Sequence, residues 1–97
     1  MKQNSFLWLQ HWYQSHCNGD WEHGPGIHIS TIDNPGWSIK IDLQDTELQN
    51  KQFNRIHVEH TENDWIICFV EESSFQGACG PTNLLEVLMI FQKWATQ

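Results

Sequence analysis

The stretch Ile27-His28-Ile29-Ser30-Thr31-Ile32-Asp33-Asn34-Pro35-Gly36-Trp37-Ser38-Ile39-Lys40-Ile41-Asp42-Leu43 decides the fold class. Ile27, Ile29 and Thr31 alternate with His28 and Ser30, and then Trp37, Ile39, Ile41 and Leu43 alternate with Ser38, Lys40 and Asp42. A period of two is that of a strand with one buried face, so the segment reads as two strands joined through Asp33-Asn34-Pro35-Gly36. A slip of one residue would turn a strand's apolar side to the wrong face, so the apolar sides meet only across an odd number of loop residues. A three-residue loop, Asn34-Pro35-Gly36, satisfies this and pairs Ile29 with Ile41 and Thr31 with Ile39.

Outward from this hairpin the period changes. Residues 5–16 read as a helix capped by Asn4 or Ser5, with Phe6, Leu9, Trp12 (or Trp8) and Tyr13 on one broad face and Cys17-Asn18-Gly19 as its end. Downstream, Phe53 to His60 is a third strand with Ile56 and Val58 on one side. Trp65 to Val70 is a fourth, apolar on both faces as a well-covered strand is. Residues 71–80 read as a polar, glycine-containing loop. Thr82 or Asn83 then caps a last helix in which Asn83 and Glu86 have capping-box-like spacing and Leu84, Val87, Leu88, Phe91 and Trp94 form the buried stripe. Short links favour neighbours in sequence as neighbours in space. The expected fold is α+β: an antiparallel four-strand meander flanked by an N-terminal and a C-terminal helix, one domain over residues 1–97.

Composition narrows the function. With 97 residues, 39% of them hydrophobic and six of them tryptophan, the chain builds one core but has little room for a deep substrate cleft. Five Lys and Arg stand against twelve Asp and Glu, a net charge of −7, which repels nucleic acid and anionic membrane and attracts basic partners. Cys17, Cys68 and Cys79 are odd in number and lack a Cys-x-x-Cys spacing, so no disulfide framework is expected and a reducing cytoplasm is the simpler setting. The apolar run Phe6 to Leu9, broken by Gln10 and His11, is too short for a signal segment or a membrane span.

The densest chemistry is Cys17-Asn18-Gly19-Asp20-Trp21-Glu22-His23-Gly24. Extended alternation would send Asp20 and Glu22 to one side and Trp21 and His23 to the other, so sequence neighbours do not make a convergent site. The six histidines lack the paired short spacings of zinc ligands, and no metal is expected on His23, His28, His57 or His60, nor any other cofactor. Cys79, in Gly77-Ala78-Cys79-Gly80-Pro81-Thr82 before a helix, is a candidate nucleophile without a base to activate it, and a connector role suits it better. Trp8, Trp12, Trp37 and Trp94 lie on core-facing stripes; Trp21 and Trp65 stand beside acidic loop residues where an aromatic can anchor a partner.

Taken together, Leu9-Gln10-His11-Trp12-Tyr13, Cys17-Asn18-Gly19-Asp20-Trp21-Glu22-His23, Gly26-Ile27, Thr31-Ile32-Asp33-Asn34-Pro35-Gly36-Trp37 and Asn63-Asp64-Trp65 resemble the immunity protein 53 family of bacterial polymorphic-toxin systems, over nearly the whole chain. Where that family often has Cys-Asp-Gly, this chain has Asn18. The resemblance implies a cytoplasmic antidote, not an enzyme, that neutralises a cognate toxin domain by stoichiometric binding. The acidic balance adds that the toxin is basic, a nuclease for example. The alternative is a small hydrolase or transferase using Asp20, Glu22, His23 or Cys79.

Meander connectivity places the candidate toxin-binding surface. The entry to the first strand, the link from second to third, and the exit of the fourth share one end of the sheet, which collects Asp20, Trp21, Glu22, His23, Asp42, Asp45, Glu47, Glu71 and Glu72. A second candidate surface comprises Asp33, Asn34, Trp37, Asp64 and Trp65.

Overall fold

The computed structural model describes residues 4–97. Helix α1 spans Ser5–His16 and is capped by Asn4, whose side-chain oxygen accepts from the Phe6 and Leu7 amides at 2.8 and 3.1 Å. A 3-10 turn, Trp21–His23, leads to β1 (Ile27–Ile32), β2 (Gly36–Asp42), β3 (Ile56–Thr61), β4 (Asp64–Glu71), β5 (Ser74–Cys79) and helix α2 (Leu84–Thr96). The strands form one antiparallel sheet in the order β1-β2-β5-β4-β3.

The α+β class holds, and the four-strand meander does not. Residues 71–80 are not a loop: they contain β5, which turns back from β4 through Glu72 and Ser73 and inserts between β4 and β2. The long link from β2 to β3 makes room for it, burying Leu43 and Leu48 and setting Phe53 edge-on against Phe75 at 5.5 Å and Trp94 at 5.3 Å. With Phe75 and Cys79 buried on one side, β5 supplies the middle of the sheet that β2 and β3 were expected to complete by pairing.

The β1–β2 hairpin keeps its faces but not its register. Ile27 pairs with Ile41, Ile29 with Ile39 and Thr31 with Trp37, two residues away from the expected pairing, and the three-residue loop is Asp33 to Pro35, with a cis Asn34–Pro35 peptide. Gly36 belongs to the ladder, opposite Ile32. A side chain there would collide with the Cys79 carbonyl of β5, so this glycine serves a close approach of strands rather than a turn.

Both helices lie over one face. Ile39, Ile41, Phe75, Cys79, Ile66 and Cys68 form the sheet's side of the core, closed by Leu9 and Trp12 of α1 and Val87, Leu88, Phe91 and Trp94 of α2. The α2 stripe is the one its sequence indicates. The α1 stripe is narrower: Ser5, Leu9 and Trp12 are buried, while Phe6 and Tyr13 stay exposed because α1 rests on α2 rather than on the sheet. Ser5 Oγ donates to Gln92 Oε1 of α2 at 2.6 Å, and Trp8 and Trp12 meet Phe91 edge-on at 5.8 and 5.3 Å. Asn83 makes no capping hydrogen bond; its amide nitrogen instead donates to Asp64 at 2.9 Å and Glu86 at 2.7 Å, tying the start of α2 to β4.

Among the described residues, no helix lies over the opposite face of the sheet. Trp65, Ile67 and Phe69 of β4 point there, on the side away from buried Ile66 and Cys68, and are half-buried. The expectation of a strand covered on both sides is therefore corrected: β4 is covered on one.

Candidate functional site

The end of the sheet where β1 enters, β2 leaves and β4 turns into β5 is stitched by two backbone hydrogen bonds, Asp42 N to Gly26 O at 2.9 Å and Leu43 N to Ser73 O at 2.8 Å. Asp20, His23, Asp42 and Asp45 border one shallow depression there, with Pro25 and Gln44. Asp42 and Gln44 also border a second hollow, with Glu71, Glu72, His28 and Lys40. This end therefore carries a rim of carboxylates. Asp42 holds the Gln44 amide at 3.0 Å with one oxygen.

Three of the residues expected at this surface do other work. Trp21 is only 6% exposed and packs edge-on against Trp12 at 5.8 Å, with Tyr13 and His16 beside it, so it is a core aromatic and not an exposed anchor. Its indole Nε1 is buried without a hydrogen-bond partner. Glu22 folds back to accept from the Asn18 and Gly19 amides at 2.9 and 2.8 Å, and Asn18 Oδ1 accepts from the Asp20 and Trp21 amides, both at 3.0 Å. Backbone hydrogen bonding, its own amide first, holds the Glu22 carboxyl below the usual range despite some desolvation. Glu47 lies under the end of α1, accepting from Trp12 Nε1 at 3.0 Å and contacting His16 Nε2 at 2.6 Å. Desolvation pushes its carboxyl up, but backbone hydrogen bonding and the bonds from His16 and Trp12 outweigh that, leaving it lowered.

The second candidate surface is divided by the sheet. Trp37 faces the core side, its Nε1 donating to the Pro81 carbonyl at 3.0 Å, and Asp64 is engaged by Asn83. Asn34 and Trp65 instead border a depression with Glu59, His60, Glu62 and Ile67, on the helix-free side. Asp33 stands exposed in the turn.

The residues of the hydrolase or transferase alternative do not form one site: Asp20 and His23 share a depression, Glu22 is turned back onto the Asn18 and Gly19 amides, and Cys79 lies away from all three. Cys79 is 1% exposed on the core side of β5, and burial raises its thiol pKa, against a lowering hydrogen bond from the Trp37 backbone. Asp42, beside Asp20 and His23, is paired with Ser74 at the other end of that strand, and five strand residues separate the two sites by roughly 17 Å. Cys68, diagonal to Cys79 across the β4–β5 ladder, is raised to about 12 by burial and by that neighbour. Neither thiol is poised as a nucleophile. Among the described residues, no three His, Cys, Asp or Glu side chains cluster to hold a metal ion, and no helix is long and apolar enough to cross a membrane.

Periodicity does not mark Ile67 and Phe69 as surface residues. Their signal was present as an unbroken apolar run, Trp65-Ile66-Ile67-Cys68-Phe69-Val70, which does not reveal whether its second face is covered by the same molecule or by another.

No curated protein and no solved structure gives a significant match to this sequence. The sequence profile described as immunity protein 53 matches residues 6–96, spanning α1, all five strands and α2. On that match the chain belongs to the immunity protein 53 family.

Proposed function

We propose that this chain is an immunity protein that neutralises a cognate toxin domain in the cytoplasm of the cell that makes both, by forming a stoichiometric complex. Family membership across residues 6–96 carries the reading. The net charge of −7 and the carboxylate rim of Asp20, Asp42, Asp45, Glu71 and Glu72 support a basic toxin, such as a nuclease whose own surface suits a polyanion. Separation of the Cys79 thiol from the acid–base candidates Asp20 and His23 favours inhibition by occupancy over chemical modification of the toxin.

The reading predicts that the gene immediately upstream encodes a large secreted protein with a variable C-terminal domain. Inducing that domain alone in a sensitive host should stop growth, and co-expressing this chain should restore it. Growth arrest unrelieved by co-expression, or a metabolic operon upstream, would count against the reading.

A further inference from the structure

An antiparallel sheet packed on one side ordinarily alternates, apolar inward and polar outward. β1, β2, β5 and β3 largely follow this rule, presenting Ser30, Ser38, Gln76 and His57 on the helix-free side. β4 breaks it at three successive outward positions, Trp65, Ile67 and Phe69. The pairing sets Ile67 beside Ala78, Ala78 beside Ser38 and Ser38 beside Ser30, so a ridge of large apolar groups borders a shelf of small ones.

Charge is distributed around this ridge in a definite way. Glu59 pairs directly with Trp65, and Glu62 borders the same depression. Asp42, Glu71 and Glu72 lie toward the Phe69 end, Lys40 and Arg55 also stand near the ridge, and His57, opposite Ile67, meets the Glu59 carboxylate at 3.2 Å. The Arg55 guanidinium stacks 4.9 Å from the Phe69 ring centre, which shows the kind of group this ridge receives. Trp65 offers the same aromatic seat with the Glu59 carboxylate across from it, and an incoming arginine could use both.

We propose that the toxin docks on this helix-free face, with Trp65, Ile67 and Phe69 as the apolar anchor and a basic protein surface as the partner, one of its arginines seated on Trp65 beside Glu59. The inference rests on the immunity reading and locates the partner's seat; it also supplies the apolar anchor that buried Trp21 cannot. Asp42, Glu71 and Glu72 then form the acidic rim of the same interface, where they steer approach while the ridge governs residence.

The test uses the purified C-terminal domain encoded immediately upstream and measures its binding to the wild-type chain and to three variants whose folding is confirmed by thermal melting. Trp65→Ser removes the anchor. Ser38→Arg leaves the ridge intact and puts bulk and positive charge on the shelf, so it decides the matter if Trp65→Ser does not fold. Met89→Arg, on the exposed side of α2, is the control. Trp65→Ser and Ser38→Arg should each weaken binding by at least about tenfold, mainly through faster dissociation, with Met89→Arg unchanged. Wild-type affinity in both sheet variants would overturn the docking face and leave the immunity reading standing. Failure of the wild-type chain to bind would overturn both. A dimer of this chain that Ser38→Arg splits would assign the face to self-association and overturn the proposal.

Discussion

His16 lies in the C-terminal turn of α1, its Nδ1 2.8 Å from the Trp12 carbonyl and its Nε2 2.6 Å from the Glu47 carboxylate. Glu47 is thus a latch between α1 and the β2–β3 link, and the lowered carboxyl pKa fixes the sign of its effect. A carboxyl whose folded pKa lies below its unfolded one adds stability above the unfolded value and loses it as pH falls through the folded value. Glu47→Gln should therefore flatten the loss of stability on acidification below about pH 5, measured by urea unfolding across that range. Its cost at neutral pH should not exceed about 1 kcal/mol, because the Glu47 side chain is 57% exposed and solvent screens the pair. The thiols give a second test. Half-buried Cys17 should alkylate first in the native protein, while Cys68 and Cys79 react only as the chain opens, which mass spectrometry of iodoacetamide-treated protein resolves by residue. Asn18 holds its loop without a charge: its side-chain oxygen accepts two backbone N–H groups, a task that requires an acceptor only.

At the scale of elements, what was legible followed from periodicity. The α2 stripe and the faces of β1 and β2 repeat strongly enough to be read directly, whereas β5 is written in small residues. Phe75-Gln76-Gly77-Ala78-Cys79 alternates, but Gly77 and Ala78 weaken the pattern, and the tight turn before it uses Glu72 and Ser73 at positive φ of 53° and 57° instead of the asparagine and glycine that announce such hairpins. Gly77 is small because α2 comes down on it: an added methyl would stand 2.8 Å from Val87 Cγ1 and 2.9 Å from Ile39 Cγ2, both on stiff β-branched side chains. Gly77→Ala should cost about 1–3 kcal/mol in urea unfolding, whereas Ala78→Ser, one residue along and facing away from the helices, should stay within about 0.5 kcal/mol. Equal effects would mean that α2 does not seat where β5 places it.

For the whole molecule, the acidic end was legible although the strand order was not. Which loops share an end depends on strand direction, and inserting β5 by a hairpin leaves the directions of β1 to β4 unchanged. Burial was not legible from the same connectivity: nothing in the sequence around Trp21 distinguishes an aromatic packed on α1 from one offered to a partner, and the bareness of one sheet face depends on where both helices pack. If the rim steers a basic toxin, Asp42→Asn with Glu71→Gln and Glu72→Gln should slow association about threefold to tenfold at low salt, flatten its salt dependence and leave dissociation nearly unchanged. Asparagine at position 42 retains an oxygen for the Gln44 amide, so the turn survives the change. Neutralisation by occupancy can be measured by titrating a fixed amount of the toxin domain with this chain and following toxin activity. Activity should fall linearly to zero at one chain per toxin domain, and return when the complex is dissociated and the two proteins are separated. Complete inactivation by a small fraction of an equivalent, persisting after separation, would show turnover and contradict occupancy.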